Sequence, residues 1–147
     1  MIKKILLITL STLFLSGCTK SESLVTAQLG DSQKLKLEVV STPQKITLGL
    51  SGRDEIGADG MLFIFDQPKT PRFWMKEMKF DLDMIWIKDM KIVEITENVP
   101  APDSSTPLNQ LPTYGPSQPI DMVLEIKAGK SNQWELEVGD EVVLPFD

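Results

Sequence analysis

Short stretches in which apolar and charged residues alternate recur along this chain. Residues 34–40, 91–99 and 120–127 place apolar side chains at every second position, which is typical of half-buried β-strands. Residues 60–65 are apolar on both faces and predict a central strand. Thr42, followed by a proline, favours the start of a short helix. The pattern predicts a mainly β (α+β) fold, a compact, largely antiparallel and barrel-like domain with one or two short helices.

Residues 72–87 carry two of the three tryptophans and six charged side chains. Interpreted as one strand, they direct a single apolar face inward, made of Met78, Phe80, Leu82, Met84 and Trp86. Asp83 lies on the opposite, charged face. It stands just before residue 85, from which the side chains on both faces are apolar. We expect this carboxylate to be partly buried and to need hydrogen bonds or a cation. The candidate partners are Arg53, Lys76 and Lys79.

The first 18 residues have the pattern of an export signal. Lys3 and Lys4 precede an apolar run that is too short to span a membrane as a mature helix. The Leu-Ser-Gly-Cys sequence ending at Cys18 resembles the bacterial lipobox, in which cleavage leaves a diacylated cysteine at the new N-terminus. Residues 1–17 are therefore predicted to be a cleaved signal peptide and Cys18 the lipid attachment site. The protein would be exported and lipid-anchored at the cell membrane or the outer membrane.

Residues 18–32 are mostly small and polar, and they are predicted to form a flexible tether with an r.m.s. length of about 20 Å. The folded domain is then expected to occupy residues 33–147 as a single unit. Within it, residues 98–119 contain six of the ten prolines. This segment is predicted to be a long loop, either functional or simply solvated.

Charge and missing residue types narrow the possible functions. Signal cleavage would leave 13 basic and 21 acidic side chains, a net charge near −8, which opposes nucleic-acid binding. The expected partners are the membrane, through the lipid, and an envelope component or small ligand. The chain has no histidine and one cysteine, so His- and Cys-based triads and the usual zinc sites are excluded. We expect no cofactor and no metal.

Several separated motifs resemble one family, the bacterial and archaeal family called domain of unknown function 192. The motifs are Gly60-Met61-Leu62-Phe63-x-Phe65, Phe73-Trp74-Met75-Lys76 and Leu82-Asp83-x-x-Trp86-Ile87. Further matches in the expected order are Gly49-Leu50, Arg53, Pro100, Tyr114, Leu124-Glu125, Gly129 and Gly139-Asp140. The resemblance spans roughly residues 33–145. It implies a compact, mostly β domain with short helices, often exported or lipid-anchored, and no established activity.

Three positions depart from the family pattern. Glu77-Met78 stands where many members have Asn-Thr, and Asp81 stands where many have Pro. Asp89-Met90 replaces the usual Asp-Gly hairpin turn. Because Met tolerates positive φ poorly, this turn is expected to differ or to be longer. If the Asn-Thr pair serves a site in the family, that site is altered in this chain.

The candidate ligand-binding residues fall on the family-like motifs and are Arg53, Trp74, Lys76, Asp83, Tyr114, Glu125 and Asp140. The preferred hypothesis is a non-catalytic envelope binding or accessory module with these side chains around one cleft. A second hypothesis is a hydrolase of envelope material that uses Asp83 with Glu125 or Asp140, two carboxyl groups about 5–9 Å apart. A third is a hard-metal site made of Asp81, Asp83 and Glu125. Each residue also has a structural interpretation, as part of an ion pair, a turn or the core.

Overall fold

A computed structural model describes residues 24–31 and 33–146. The predicted signal peptide and Cys18 lie outside the described residues. Within the described part of the chain, no helix has the length and apolar character needed to cross a membrane. The strands are β1 Leu24–Leu29, β2 Gln33–Val40, β3 Gly60–Lys69, β4 Phe73–Trp74, β5 Leu82–Lys88, β6 Lys91–Val99, β7 Thr113–Tyr114, β8 Ile120–Lys127 and β9 Val142–Val143. The helices are α1 Pro43–Leu48 and α2 Lys130–Gln133, and a 3₁₀ turn covers Leu108–Gln110.

Seven strands form one sheet in the order β6-β5-β8-β3-β2-β1-β9, and this sheet curls into a half-barrel. Neighbouring strands are antiparallel except for β2 and β3, which are joined through α1 and run parallel. β4 and β7 form a separate two-stranded ribbon. The structure confirms the predicted mainly β, largely antiparallel domain with short helices.

Residues 139–143 join the two edges of the sheet at one end. The amide of Gly139 donates to the carbonyl of Ile92 (2.8 Å), and the amide of Val142 donates to the carbonyl of Met90 (2.8 Å). The same segment continues as β9, which pairs with β1. These hydrogen bonds connect β6 to β1 and close the half-barrel at that end.

The sheet buries a separate hydrophobic core on each face. The first core draws on all seven strands and includes Leu35, Leu62, Ile85, Leu124 and Val142. The second core covers the opposite face and includes Val40, Phe63, Met75, Trp86 and Val123. The β4–β7 ribbon packs on this second core through Phe73 and Tyr114.

The prediction of one continuous strand over residues 72–87 is wrong. The chain breaks into β4 and β5, and the amide of Met78 donates to the carbonyl of Met75 (3.1 Å) in the turn between them. Glu77 lies in this turn with a φ of 57°. The predicted apolar face is nevertheless confirmed, because Met78, Phe80, Leu82, Met84 and Trp86 all contact the second core. Met78 and Phe80 therefore reach the second core from a turn and the segment after it, although neither residue belongs to a strand.

The predicted tether over residues 18–32 is wrong where the structure describes it. β1 begins at Leu24, and it pairs along its whole length with β2 in antiparallel register. Ala27 and Leu29 are buried in the first core. The pattern was missed because small and polar residues, Thr26, Ala27 and Gln28, dilute the alternation.

The proline-rich segment 98–119 is more structured than a solvated loop. It contains the 3₁₀ turn and β7, and the amide of Ala101 donates to Asp81 Oδ1 (2.7 Å). The amide and hydroxyl of Ser117 both donate to Glu94 Oε2, at 2.8 and 2.6 Å. These contacts fasten the segment to the sheet.

Candidate functional site

A pocket with a volume of about 250 Å³ lies on the second-core face of the sheet. Phe63 and Phe65 of β3 and Leu82 of β5 form its sheet side. Phe73 and Met75, in and just after β4, contribute another wall, and the end of α1 contributes the rest. The rings of Phe63 and Phe73 pack edge to face with their centroids 5.4 Å apart. Segments that are distant in the sequence, from α1, β3, β4 and β5, therefore form one largely apolar wall of the pocket.

Glu125 is the only acidic residue among the described residues that line this pocket, and it is 5 % exposed. It lies on β8 between Met61 of β3 and Met84 of β5, which are both fully buried. Burial raises the pKa of Glu125 to about 8, and no charge or hydrogen bond in the described part of the chain opposes that shift. The carboxyl group is therefore mostly protonated at neutral pH and can donate a hydrogen bond.

Two cations line the same pocket. Lys69 lies at the end of β3, with its Nζ 4.1 Å from the centroid of the Phe65 ring, and Arg72 lies in the exposed segment before β4. Sequence reasoning missed both residues because neither falls on a family-like motif. Each residue lies close in sequence to an aromatic segment, and this position was the one available indication that it could line a pocket.

Trp74 and Tyr114, two of the predicted site residues, lie on the same face as Glu125. Trp74 lines the pocket and is 48 % exposed. Tyr114 pairs with Phe73 across the β4–β7 ribbon and packs on the second core. Lys76 lies beside Trp74, with its Nζ 5.8 Å from that ring. Of the predicted set, Trp74 and Glu125 therefore line the pocket, and Tyr114 and Lys76 contact lining residues without lining it themselves.

Asp83 is fully buried and away from the pocket. Its Oδ1 accepts a hydrogen bond from the amide of Asn98 (2.8 Å), and its Oδ2 accepts from the amide and hydroxyl of Ser131, at 3.0 and 2.7 Å. None of the predicted partners, Arg53, Lys76 and Lys79, forms an ion pair with it in the described structure. The carboxylate instead ties β5 to the end of β6 and to α2.

The pairing of Asp83 with Glu125, proposed for a hydrolase, is not assembled. Asp83 is paired with Ile126, which belongs to the first core, whereas Glu125 is paired with Met84, which belongs to the second core. Side chains of directly paired residues lie on the same face, so Asp83 and Glu125 point to opposite faces of the sheet. They cannot act together on one substrate.

Arg53 forms a two-point ion pair with Glu38, which sequence reasoning missed. Its Nη1 lies 2.6 Å from Glu38 Oε2 and its Nη2 lies 2.9 Å from Glu38 Oε1. Glu38 is 4 % exposed, because β2 is an interior strand of the sheet and residues 49–59 cover this face. In the sequence Glu38 looks like the polar face of a half-exposed strand, so nothing marked it as buried.

Asp140 and Asp81 have local structural contacts. Asp140 Oδ2 accepts from the amide of Glu137 (2.9 Å) within the predicted turn, and Asp81 accepts from Ala101. Within the described residues, no three histidine, cysteine or acidic side chains are grouped as metal ligands. The proposed metal set of Asp81, Asp83 and Glu125 is therefore not brought together.

Comparison with solved structures finds two similar proteins. One is a protein from Sinorhizobium meliloti 1021 provisionally described as a transcription regulator, with 28 % identity, a TM-score of 0.73, and coverage of 84 % of this chain and 95 % of that one. The other is a protein of unknown function from Novosphingobium aromaticivorans, with 25 % identity, a TM-score of 0.70, and coverage of 81 % and 84 %. A search of curated proteins finds no significant match.

A family model provides the assignment. The model for domain of unknown function 192 (DUF192), described as an uncharacterised ACR, matches residues 25–144. The match begins inside β1 and ends just after β9, so it covers the whole described sheet and the pocket. The chain therefore belongs to the domain of unknown function 192 family.

Proposed function

We propose that this protein is a non-catalytic binding module of the cell envelope and that the pocket beside Glu125 is its ligand site. One observation carries the proposal: the Glu125 carboxyl group, on a residue that is 5 % exposed, faces the pocket and has no hydrogen bond or ion pair among the described residues. Burying such a group without a hydrogen bond is costly. This cost is expected where a ligand completes the site, and apolar pockets with a few convergent polar groups are typical binding sites.

The arrangement of the other carboxyl groups supports binding over catalysis. Asp83 and Asp140 are engaged in internal hydrogen bonds, and Glu38, on the same sheet face as Glu125, is held in its ion pair with Arg53. None of these three acids is therefore left to share general acid–base work with Glu125. The chain also contains no histidine to take that role. The hydrolase hypothesis loses the pair of groups on which it depended.

The proposed anchor would hold the domain close to a membrane. If Cys18 carries lipid, six residue steps separate it from Leu24, the first residue of β1, which is at most about 22 Å of extended chain. Leu24 is paired with Glu38, whose neighbours across the sheet are Met61 and then Glu125. The start of β1 therefore lies in the same cross-strand row as Glu125.

The overall charge argues against a nucleic-acid partner. The S. meliloti protein is provisionally described as a transcription regulator, but the present chain has a formal net charge of −6. An acidic surface repels the phosphate backbone. We propose a small envelope ligand as the partner of the pocket and the membrane as the partner of the N-terminus.

Methionine methyl groups provide a direct test of the pocket. Met75 and Met78 line it, whereas Met90 and Met122 contact the first core. The full chain with Cys18→Ser is labelled with [methyl-¹³C]methionine and titrated with two uncharged probes, hexan-1-ol and benzyl alcohol. Saturable shifts of the first two methyl groups, with the other two unchanged, are expected. If neither probe gives saturable shifts, the pocket is not a binding site.

Two α1 variants provide a matched control. Thr47 lines the pocket and Gln44 does not, although both are exposed on the same helix. Thr47→Trp is expected to weaken probe binding by blocking the pocket, and Gln44→Trp is expected to leave it unchanged. Equal effects of the two variants would contradict the proposed location.

The anchor is tested separately by mass spectrometry of the protein from a bacterial host. A chain that begins at Cys18 and carries a diacylglyceryl group is expected, and Cys18→Ser is expected to abolish that mass and release the protein from membranes. An unmodified Cys18 would contradict the lipid anchor without affecting the proposed pocket.

A further inference from the structure

We infer that the ligand of this pocket is a small amphiphilic anion, with its apolar body against the aromatic and methionine walls and its anionic group at Lys69 and Arg72. The inference rests on the proposed function, because it names the class of ligand that the same pocket would take. The added claims are that the ligand is negatively charged and that its charged group lies at the two cations.

The size and lining of the pocket define the body of the ligand. A volume of about 250 Å³ corresponds to about eight water molecules at their liquid volume. Six of the lining residues are aromatic or thioether, and several others are aliphatic. Such side chains pack against alkyl or aryl chains. Leu48 and Trp74 extend this apolar lining to the solvent, at 61 % and 48 % exposure. A short alkyl or aryl chain satisfies these walls.

The charges that line the pocket define the other end of the ligand. Lys69 and Arg72 are the cations, and the one acid, Glu125, is kept neutral by burial. The nearby acid on the same sheet face, Glu38, is matched by Arg53. The pocket therefore carries positive charge at neutral pH, although the whole chain has a net charge of −6. Such a local reversal of sign favours an anionic group.

The register of β8 separates the backbone positions of Lys69 and Glu125, although Lys69 Nζ lies back over the Phe65 ring, 4.1 Å from its centroid. Lys69 is paired with Ile120 and Met61 is paired with Glu125. Five residue steps along β8 separate the two positions, about 17 Å of strand. An elongated ligand can therefore hold its anionic group near the cations while its body extends toward the neutral acid.

Three unbranched six-carbon probes that differ in their head group test the sign of the charge. Hexanoate, hexan-1-ol and hexylamine are titrated at pH 6.5 into the full Cys18→Ser chain, with the methyl groups of Met75 and Met78 as readout and those of Met90 and Met122 as the fold control. Hexanoate is expected to bind about tenfold more tightly than hexylamine, with hexan-1-ol between them. Equal or tighter binding of hexylamine would overturn the inference.

The double variant Lys69→Gln/Arg72→Gln tests the assigned residues. It is expected to weaken hexanoate binding to the level of hexan-1-ol and to leave hexan-1-ol unchanged. Unchanged hexanoate binding would overturn the assignment of the two cations. The failures are distinguishable: if none of the three probes binds, the proposed function itself fails, whereas if the alcohol binds and charge has no effect, only this inference fails.

Discussion

Asp83 and Glu125 lie on neighbouring strands, one residue out of register, and point to opposite faces of the same sheet. Asp83 is paired with Ile126, and Glu125 with Met84. The Asp83 carboxylate accepts hydrogen bonds from Asn98 and Ser131. The Glu125 carboxyl group faces a pocket and has no partner in the part of the chain that the structure describes. Two buried acids that look equivalent in the sequence therefore have different physical roles, which single substitutions can separate.

Asp83→Ala is expected to destabilise the fold without a direct effect on the pocket. The substitution leaves the partly buried amide of Asn98 and the buried amide and hydroxyl of Ser131 without their acceptor, at a cost of about 3 kcal/mol in the free energy of unfolding. Asp81→Ala is the matched control, because Asp81 is exposed and accepts one hydrogen bond; a loss of less than about 1 kcal/mol is expected. Urea unfolding measures both, and similar values for the two variants would contradict the structural role of Asp83.

Glu125 is expected to make stability fall as the pH rises. Its pKa is raised from 4.5 to about 8 in the folded protein, so between these values the folded state keeps a proton that the unfolded state has lost. Stability from this group is complete below pH 4.5 and is lost as the pH rises through 8, at up to about 1.4 kcal/mol per pH unit. Glu125→Gln removes the titrating group and keeps the shape.

The measurement is the free energy of unfolding of both proteins at several pH values between 4.5 and 9. The wild-type protein is expected to lose stability relative to Glu125→Gln by several kcal/mol over this range. Parallel pH profiles for the two proteins would show that Glu125 titrates normally in the fold.

Met90 is expected to strain its turn. Lys88 and Lys91 are paired, so Asp89-Met90 forms a two-residue hairpin loop, with φ values of 48° and 58°. The expectation of a different or longer turn is therefore wrong. Met90 is retained in this conformation while its side chain packs on the first core and its carbonyl accepts from Val142, contacts that offset the backbone cost.

Two variants separate the strain from the packing. Met90→Ala and Met90→Gly both remove the side-chain packing, but only glycine relieves the positive φ. Met90→Gly is expected to be more stable than Met90→Ala by about 1 kcal/mol. Thermal unfolding measures the difference, and an alanine variant as stable as the glycine variant would show that the turn is not strained.

Glu77→Asn is expected to stabilise the protein. Glu77 has a φ of 57°, a conformation in which Asn is favoured over most other residues with a β-carbon. Its side-chain contact with Lys76 is long, at 3.6 Å, and solvent-exposed, so little is lost. A gain of about 0.5–1 kcal/mol is expected. Glu77→Gln, which removes the charge and keeps the strain, should show no such gain; equal gains would attribute the effect to charge.

This backbone conformation gives a structural reason for the Asn that the family resemblance places at position 77. An Asn at position 77 suits the turn for reasons of φ alone, without any role in a site. The altered pair Glu77-Met78 therefore does not require that the pocket has changed.

Local sequence patterns predicted most of the sheet, because strands alternate with period two wherever one face is buried. They failed at β1, where Thr26 and Gln28 are short or polar and Ala27 contributes little hydrophobic signal. They also failed at the turn containing Glu77, since Met78 and Phe80 keep the apolar face without the strand. Tertiary packing decides both cases.

The site was only partly predictable for the same reason. Trp74 and Glu125 fell on recognisable motifs, but Lys69 and Arg72 line the pocket because the β4–β7 ribbon packs over β3. The burial of Glu38 depends on residues 49–59 covering an interior strand. No local pattern contains that information, because strand order and coverage come from contacts distant in sequence.

The contacts of residues 139–143 with both β1 and β6 have a consequence for biosynthesis. The first and last strands of the sheet must meet, so a growing chain exposes two unpaired edges until this final segment has been made. Contacts between residues so distant in sequence form late and slow folding. We therefore expect the domain to acquire its closed structure only after residues 139–143 have left the ribosome.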